Sequence, residues 1–271
     1  MSFIKTPLQK AEAAIAQADA VLIGAGAGLS TAAGINYSGP DFEKAFADMI
    51  ARYGFTDLYT SSFYPFQSEE EKWAYWSRHI DYARFAPEGK PLYRHLFELV
   101  QGKEYFVITT NVDGQFIKAG FEPDKVFEVQ GDYGLMQCAT ACHPKRYSNE
   151  SLVKQMVAEQ KDCRIPSALV PRCPVCGGPM EINVRKDRYF VEDDRWHRQA
   201  ERYYAFLEKT LGKKKLALLE YGVGFNTPTI IRYPFERMAA SYPDVTLIRI
   251  NKDYRDSQTP GIRHFIGLES I

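Results

Sequence analysis

The sequence predicts an α/β protein in which a doubly wound, Rossmann-like parallel sheet carries a second, smaller domain. Three observations support this prediction. Short apolar runs alternate with stretches of helical spacing, glycine-rich loops follow two of these runs, and four cysteines occur as two close pairs. Continuous apolar runs are typical of parallel strands that helices cover on both faces. A chain of 271 residues is long enough to bury about three quarters of its unfolded surface.

The predicted sheet is built from five apolar runs in chain order. A helical pattern covers residues 6–18, and the strand-like runs that follow are 20–24, 105–109, 126–129, 216–219 and 245–250. Two stretches interrupt this alternation. Residues 39–94 are rich in aromatic side chains at helical spacing, and residues 137–200 contain all five cysteines and several prolines. We therefore predict a nucleotide-binding domain of residues 1–38, 95–136 and 201–271 and a small domain of residues 39–94 and 137–200.

Composition excludes some classes of partner. Lysine and arginine together number 34, as do aspartate and glutamate, so no global field attracts nucleic acid or an anionic membrane. No stretch of the sequence contains the roughly 18 consecutive apolar residues that a membrane helix needs. The opening, with Lys5 and Lys10, lacks the apolar centre of a signal peptide. We expect a cytoplasmic protein with no nucleic-acid or membrane partner.

Two glycine loops follow predicted strands. Glycines 24, 26 and 28 lie between a strand and a predicted helix through residues 30–34, where backbone amides can approach a pyrophosphate. The strict dinucleotide fingerprint is absent because Thr31 stands at the third glycine position, so a plain tight turn is the alternative. The second loop contains Gly222 and Gly224, and Asn251 ends the next strand.

Polar residues also follow the two strands between these loops. Asn111 and Asp113 come directly after the run 105–109, at the carboxyl edge where open α/β sheets bind ligands. Asparagine and aspartate are also common in turns, which is the alternative interpretation. Gln130 follows the run 126–129. Its amide can donate and accept hydrogen bonds, but it does not titrate in the working pH range.

The cysteine pairs predict a structural metal site. Cys138 and Cys142 are separated by three residues, and Cys173 and Cys176 by two. Paired thiolates of this kind suit tetrahedral zinc with all four positions filled, and the smaller domain is therefore predicted to be a zinc-binding and helical domain. His143 could compete as a ligand, but adjacent side chains rarely reach one ion together. Cys163 is predicted to be a lone thiol.

These segments, in this order and spacing, resemble the sirtuin family across nearly the whole chain. The resemblance rests on Gly24–Ser30, Thr109–Asp113, Gln130-Gly131, the cysteine pairs, Gly222-Val-Gly224 and Ile250-Asn251. It implies NAD as co-substrate and structural zinc as cofactors. The NAD contacts it implies are Ala25, Gly26, Ala27, Gly28, Ser30, Phe42, Asn111, Gln130, Gly222, Gly224 and Asn251.

The chain departs from the sirtuin pattern at several places, among them the pair Gly222 and Gly224 in place of the family's Gly-Thr-Ser, and three departures concern the reaction. Glu43 stands where the family has an NAD-contacting arginine, Thr110 replaces a glutamine, and Gln130 replaces the catalytic histidine. Deacylation needs a base that deprotonates a ribose hydroxyl after nicotinamide has left, and an amide cannot serve. Departure of nicotinamide depends mostly on orientation and electrostatics. The chain is therefore predicted to transfer ADP-ribose, with Asn111, Asp113 and Gln130 as its catalytic residues.

Glutamine at this position is similar to the macrodomain-linked class of sirtuins, which are regarded as protein mono-ADP-ribosyltransferases. That resemblance implies a protein acceptor, a lipoylated carrier of the glycine-cleavage type, and a macrodomain hydrolase that acts on the product. Two alternatives stay open: a protein-lysine deacylase that uses water or Asp113 as its base, and a catalytically silent NAD-binding sensor. The aromatic stretch 39–94 could shape an acyl or lipoyl pocket or form ordinary core.

Overall fold

The computed structural model describes residues 6–257 and 259–270, and its main element is a parallel sheet. In these residues six strands pair in the order β3, β2, β1, β7, β8 and β9. Their bounds are Ala20–Ala25 for β1, Glu104–Thr109 for β2, Val126–Glu128 for β3, Leu216–Tyr221 for β7, Val245–Ile250 for β8 and His264–Leu268 for β9. Every pairing is parallel. The predicted Rossmann-like sheet is confirmed, and its strand order reverses between β1 and β7.

Helices cover both faces of this sheet, as the continuous apolar strands predict. Alternate strand residues point to opposite faces, so Val21 and Ile23 join one core and Leu22 the other. The helices are α1 Pro7–Gln17, α2 Ala27–Ala32, α3 Pro40–Ala45, α4 Ala47–Tyr53, α5 Leu58–Ser61, α6 Glu69–Ile80, α7 Pro91–Val100, α8 Gln115–Lys118, α9 Glu150–Glu159, α10 Asp194–Thr210 and α11 Arg232–Ser241. Helices α1 and α7 contribute to the first core, and α10 and α11 to the second.

A second sheet is small and antiparallel. It consists of β4 Gly131–Cys138, β5 Arg146–Ser148 and β6 Met180–Val184, paired in the order β5, β4, β6. A separate hydrophobic core joins this sheet to helices α3, α4, α6 and α9, and it includes Trp73, Tyr75, Cys138 and Cys173. Much of the aromatic stretch 39–94 is therefore ordinary core.

The predicted domain boundaries fall inside regular elements at three places. The boundary after residue 94 lies within α7, the one after 136 within β4, and the one after 200 within α10. Both α7 and α10 pack against the large sheet. The division into two domains remains a prediction, and boundaries at the starts of α7, β4 and α10 would keep each of these elements whole.

Three further features differ from the sequence predictions or extend them. The helix predicted through residues 30–34 begins earlier, at Ala27, because the chain turns directly out of β1. Strand β9 had not been predicted, and β3 is one residue shorter than its apolar run. Across the described ranges, no helix combines the length and apolar character needed to cross a bilayer.

Candidate active site

A large cleft lies along the carboxyl edge of the main sheet, where open α/β sheets bind ligands. Its volume is about 1430 Å³, and its walls include residues that follow five neighbouring strands. In strand order these are Gln130 after β3, Asn111 after β2, the loop 26–28 after β1, Gly222 after β7 and Asn251 after β8. Neighbouring strands lie about 4.8 Å apart, so the row of strand ends spans about 19 Å. The cleft is long enough for an extended dinucleotide.

The two glycine loops touch each other backbone to backbone in the middle of this row. The Gly28 amide donates to the Gly222 carbonyl at 3.0 Å. A Cβ on Gly26 would lie 2.7 Å from the Gly222 oxygen, and one on Gly222, whose φ is +64°, would lie 2.3 Å from the Leu29 nitrogen. Side chains are therefore excluded where the loops meet. Residues 26–28 and the start of α2 line the cleft here, and this is where a pyrophosphate would fit.

Asn111 and Asp113 belong to a buried network that joins β2 to the first glycine loop. The Asn111 amide nitrogen donates to the Gly26 carbonyl at 3.1 Å and to the Tyr93 hydroxyl at 3.2 Å. The Ser30 hydroxyl lies 3.0 Å from the Tyr93 hydroxyl and donates to the Asp113 carboxylate at 2.5 Å. Asn111 reaches the cleft, whereas Asp113 lies behind it. Sequence reasoning missed Tyr93, which comes from α7.

Burial raises the pKa of Asp113, although the hydrogen bonds from Ser30 and from the Gln115 amide oppose that rise. Both carboxylate oxygens already accept hydrogen bonds from the protein. These contacts suit a residue that positions Ser30 and Asn111. They do not favour the direct proton transfer that the deacylase alternative would assign to Asp113.

Gln130 is half-buried and lines the cleft at the end of β3. Its backbone carbonyl accepts a hydrogen bond from the Arg185 amide at 3.0 Å. Gly131 follows with φ +102°, and a Cβ there would lie 2.0 Å from the Asn183 carbonyl oxygen. Strand β6 therefore fixes the backbone of Gln130. Within residues 6–257 and 259–270, the Gln130 side chain makes no hydrogen bond to the protein, so its amide is available to a ligand.

Arg185 also lines the cleft, and sequence reasoning missed it. Its guanidinium lies 4.2 Å from the centre of the Phe190 ring and pairs with Glu192. Glu43, which stands where the family has an NAD-contacting arginine, is exposed on α3 and does not line the cleft. Arg185 thus brings a guanidinium that is paired with Glu192 to the cleft from a distant part of the chain.

No histidine of the described ranges lines the cleft. His79 packs behind the cleft wall, and its ring centre lies 5.0 Å from that of the cleft residue Tyr133 and 5.1 Å from that of the cleft residue Trp76. His79 is fully enclosed, and burial lowers its pKa to about 3. Its imidazole is therefore neutral at physiological pH and separated from the cleft by aromatic rings. His143 is half-buried beside Cys142, and the remaining histidines, 95, 197 and 264, are exposed elsewhere.

Three other predicted NAD contacts do not line the cleft in this structure. They are Ala25, Ser30 and Phe42. Ala25 ends β1 with its side chain in the core, and Ser30 acts through Tyr93 and Asp113. Phe42 is 1% exposed and stacks on Phe46 with ring centres 5.4 Å apart. Direct contact of these three side chains with NAD stays a prediction, and for Phe42 it would require the α3 region to move.

An aromatic wall forms the side of the cleft near Gln130. Its members all belong to the aromatic stretch or to β4: Tyr59, Phe63, Tyr64, Phe66, Trp76 and Tyr133. Phe63 is 68% exposed and Tyr59 is 57% exposed. The stretch 39–94 thus divides into a buried set and a cleft-facing set, a distinction that helical spacing alone could not make.

The four paired cysteines converge at the end of the small sheet. All four sulfur atoms lie within 4.8 Å of one another. The Cys138–Cys176 separation is 3.7 Å and the Cys142–Cys173 separation is 3.6 Å. Four sulfur ligands at about 2.3 Å from zinc lie about 3.8 Å apart at the corners of a tetrahedron. The cluster is therefore consistent with the predicted structural zinc.

The loops around the cysteines adopt the turns that such a site needs. Gly177 has φ +71°, and its amide donates to the Cys173 carbonyl at 2.8 Å. His143 lies against the four-sulfur cluster, with its Nδ1 3.1 Å from the Cys142 sulfur and 3.9 Å from the Cys173 sulfur, and its Nε2 lies 2.8 Å from the Tyr147 hydroxyl. The lone thiol Cys163 is buried and contacts Asp48.

Comparison with known proteins decides the family. The Sir2 family model matches residues 26–213. A Staphylococcus aureus protein named "Protein ADP-ribosyltransferase" is 41% identical over 240 residues, which cover 88% of this chain and 76% of that protein. The chain belongs to the Sir2 family. This Sir2 protein carries glutamine at position 130 in a fold that also has two touching glycine loops and a cluster of four cysteines.

A second relative is longer than this Sir2 chain. A Fusarium oxysporum protein named "Probable bifunctional ADP-ribose hydrolase/ADP-ribosyltransferase" is 33% identical over 247 residues, which cover 87% of this chain and 41% of that protein. Among solved structures, a Sir2 homologue in complex with NAD superimposes with a TM-score of 0.56 at 18% identity, covering 94% of this chain and 86% of that chain. At this level of identity the structural likeness establishes the fold alone.

Proposed function

We propose that this Sir2 protein is an NAD-dependent protein mono-ADP-ribosyltransferase, which releases nicotinamide and transfers ADP-ribose to a protein acceptor. The observation that carries the proposal is the cleft itself. It combines two dinucleotide-type glycine loops with Asn111 and Gln130, and none of its walls in the described part of the chain includes a histidine. The names of the Staphylococcus and Fusarium relatives support the same reaction class.

The proposed chemistry needs no protein base at Gln130. The bond between ribose C1′ and the nicotinamide nitrogen breaks, nicotinamide leaves as a neutral molecule with the bonding electron pair, and an oxocarbenium-like sugar remains. A nucleophile of the acceptor then forms the new bond to C1′ and loses its proton to solvent. Such a step depends on orientation and electrostatic stabilisation. Asn111 and Gln130 would hold the ribose, and Asp113 would position Asn111 through Ser30 and Tyr93.

Two finer proposals concern partners. The resemblance to macrodomain-linked sirtuins leads us to propose a lipoylated carrier protein as acceptor, and the cleft-facing aromatic wall offers apolar surface for an extended modified arm. We also propose that a macrodomain hydrolase acts on the product, a pairing that the bifunctional name of the Fusarium relative supports. The balanced charge and the cysteine site remain consistent with a cytoplasmic location.

Incubation with labelled NAD and extract of the source cell tests the function. We expect a discrete labelled protein band that is lost with Asn111→Ala. The control variant Gln155→Ala, which removes an exposed amide side chain on α9, should retain the band. A second incubation with purified carrier, with and without lipoyl groups, tests the acceptor. Acyl-ADP-ribose released from acyl-lysine peptides would instead identify a deacylase. NAD binding without nicotinamide release would identify a sensor, and labelling that survives Asn111→Ala would refute the assigned site.

A further inference from the structure

Two exposed aromatic rings stand at the end of the cleft opposite Gln130. Phe225, in the loop after β7, is 50% exposed, and Tyr254, in the loop after β8, is 48% exposed. Both line the cleft. Their ring centres lie 4.9 Å apart and their planes meet at 89°. The two rings are therefore perpendicular and packed together, and about half of each remains exposed to receive another flat ring.

A buried arginine holds this pair in place. Arg232, at the start of α11, is 4% exposed, and its guanidinium lies 4.5 Å from the centre of the Phe225 ring. It donates to the backbone carbonyl of Tyr254 at 3.1 Å. Asn251 adds a second tie, since its side chain donates to the Val223 carbonyl at 3.0 Å and accepts from the Tyr254 amide at 3.0 Å. The two loops therefore form one unit.

An ionic network inside the sheet supports these two loops. Arg249, on β8, is fully buried and makes two hydrogen bonds to Glu220 at 2.7 and 2.9 Å and one to Glu236 at 2.8 Å. It also donates to the Asp256 carbonyl at 2.8 Å, which anchors the loop that carries Tyr254. A satisfied buried network of this kind fixes geometry, because each broken contact would leave a buried charge unpaired.

The order of strands places this aromatic pair relative to the rest of the cleft. Gln130 and Asn111 follow β3 and β2, the touching glycine loops follow β1 and β7, and the aromatic loops follow β7 and β8. If the reacting ribose lies at Asn111 and the pyrophosphate at the glycine loops, the far nucleoside extends past β7. Its base then reaches the two exposed rings.

We propose that Phe225 and Tyr254 form an aromatic clip for the purine base of the dinucleotide, with Arg232 as the residue that positions the clip. This inference rests on the proposed use of NAD and assigns side chains that determine recognition of the base. Stacking of a base on an aromatic side chain supplies affinity that is lost on truncation to alanine. The exposed rings become covered only when the ligand is bound.

Calorimetric titration of the double variant Phe225→Ala/Tyr254→Ala with NAD and with ADP-ribose tests the clip. We expect the Kd of both ligands to rise by the same factor, on the order of 10-fold or more, because both contain the base. Phe225→Trp should retain binding within about threefold, since it keeps an aromatic face. The matched control is Tyr204→Ala, which removes a ring that is 66% exposed on α10 and should leave both Kd values unchanged.

The outcomes separate this inference from the proposed function. Wild-type protein that binds neither NAD nor ADP-ribose would refute the proposed function and the clip together. Wild-type binding that the double variant retains within twofold would overturn the clip alone. So would weaker binding of NAD with unchanged binding of ADP-ribose, because that pattern would place the two rings at the nicotinamide end.

Discussion

At the scale of single residues, Gln130 concentrates the difference between this chain and a histidine-dependent deacylase. Its backbone is fixed from β6 through Arg185 and Asn183, and its amide faces the cleft. The sequence alone singled out Gln130, Asn111 and the cysteines because each stands in a short recognisable segment. It could not identify Tyr93 or Arg185, because their contacts with the site join positions that are far apart in the chain.

Replacing Gln130 with histidine tests whether the missing base is what limits deacylation. We expect Gln130→His to raise release of acyl-ADP-ribose from an acyl-lysine peptide by about 100-fold or more, the usual contribution of a general base. This gain should increase as the pH rises through about 6.5, the ordinary pKa of histidine, because only the neutral imidazole can accept the proton. Transfer of ADP-ribose to the protein acceptor should not increase.

Gln155→His on the exposed face of α9 is the matched control for this substitution and should leave both reactions at wild-type rates. A Gln130→His variant that still binds NAD but gains no deacylation would indicate that the cleft also lacks the contacts that hold an acyl-lysine. In that case the base would not be the deciding difference.

At the scale of elements, prediction succeeded where one local pattern decides the structure. Continuous apolar runs identified β1, β2, β3, β7 and β8 because strands buried on both faces need apolar residues throughout. Strand β9 was missed because it lies at the sheet edge and is mostly half-exposed, so its residues need not be apolar. The small sheet was missed because β5 has only three residues and β4 has a register shift.

The contact between the two glycine loops leads to a prediction at this scale. A Cβ at Gly28 would lie 2.7 Å from the Gly222 Cα and 3.0 Å from its oxygen, so Gly28→Ala must push the loops apart. We expect the Kd for NAD to rise at least about 10-fold, because a loss of about 1.4 kcal/mol in binding free energy weakens binding tenfold. Isothermal titration measures the change.

Gly224→Ala provides the steric comparison for Gly28→Ala. A Cβ at Gly224 would meet nothing within 4 Å, so the loops should keep their positions and any loss of NAD affinity should be much smaller. Equal losses in the two variants would contradict the view that close packing of the loops is what requires glycine at position 28.

At the scale of the whole molecule, residues of the main sheet and residues of the core around the small sheet line the cleft together. The main sheet supplies the glycine loops, Asn111 and the end of β3. The core around the small sheet supplies the aromatic wall and holds β6, which fixes Gln130. Cys138 and Cys173 belong to that same core. Zinc should therefore act on the active site indirectly, by maintaining β4 and β6 rather than by touching NAD.

Loss of zinc should therefore loosen one part of the molecule before the other. We expect Cys173→Ser to reduce the bound zinc from about one ion per chain to near none, because a closed structural site needs all four ligands. Hydrogen exchange should then accelerate in β4, β6 and α9, while amides of β1, β2 and β7 remain protected. Cys163→Ser is the matched control, since Cys163 is equally buried in the same core but lies outside the cluster. Equal loss of protection in both sheets would contradict the proposed two-domain organisation and indicate a single cooperative unit.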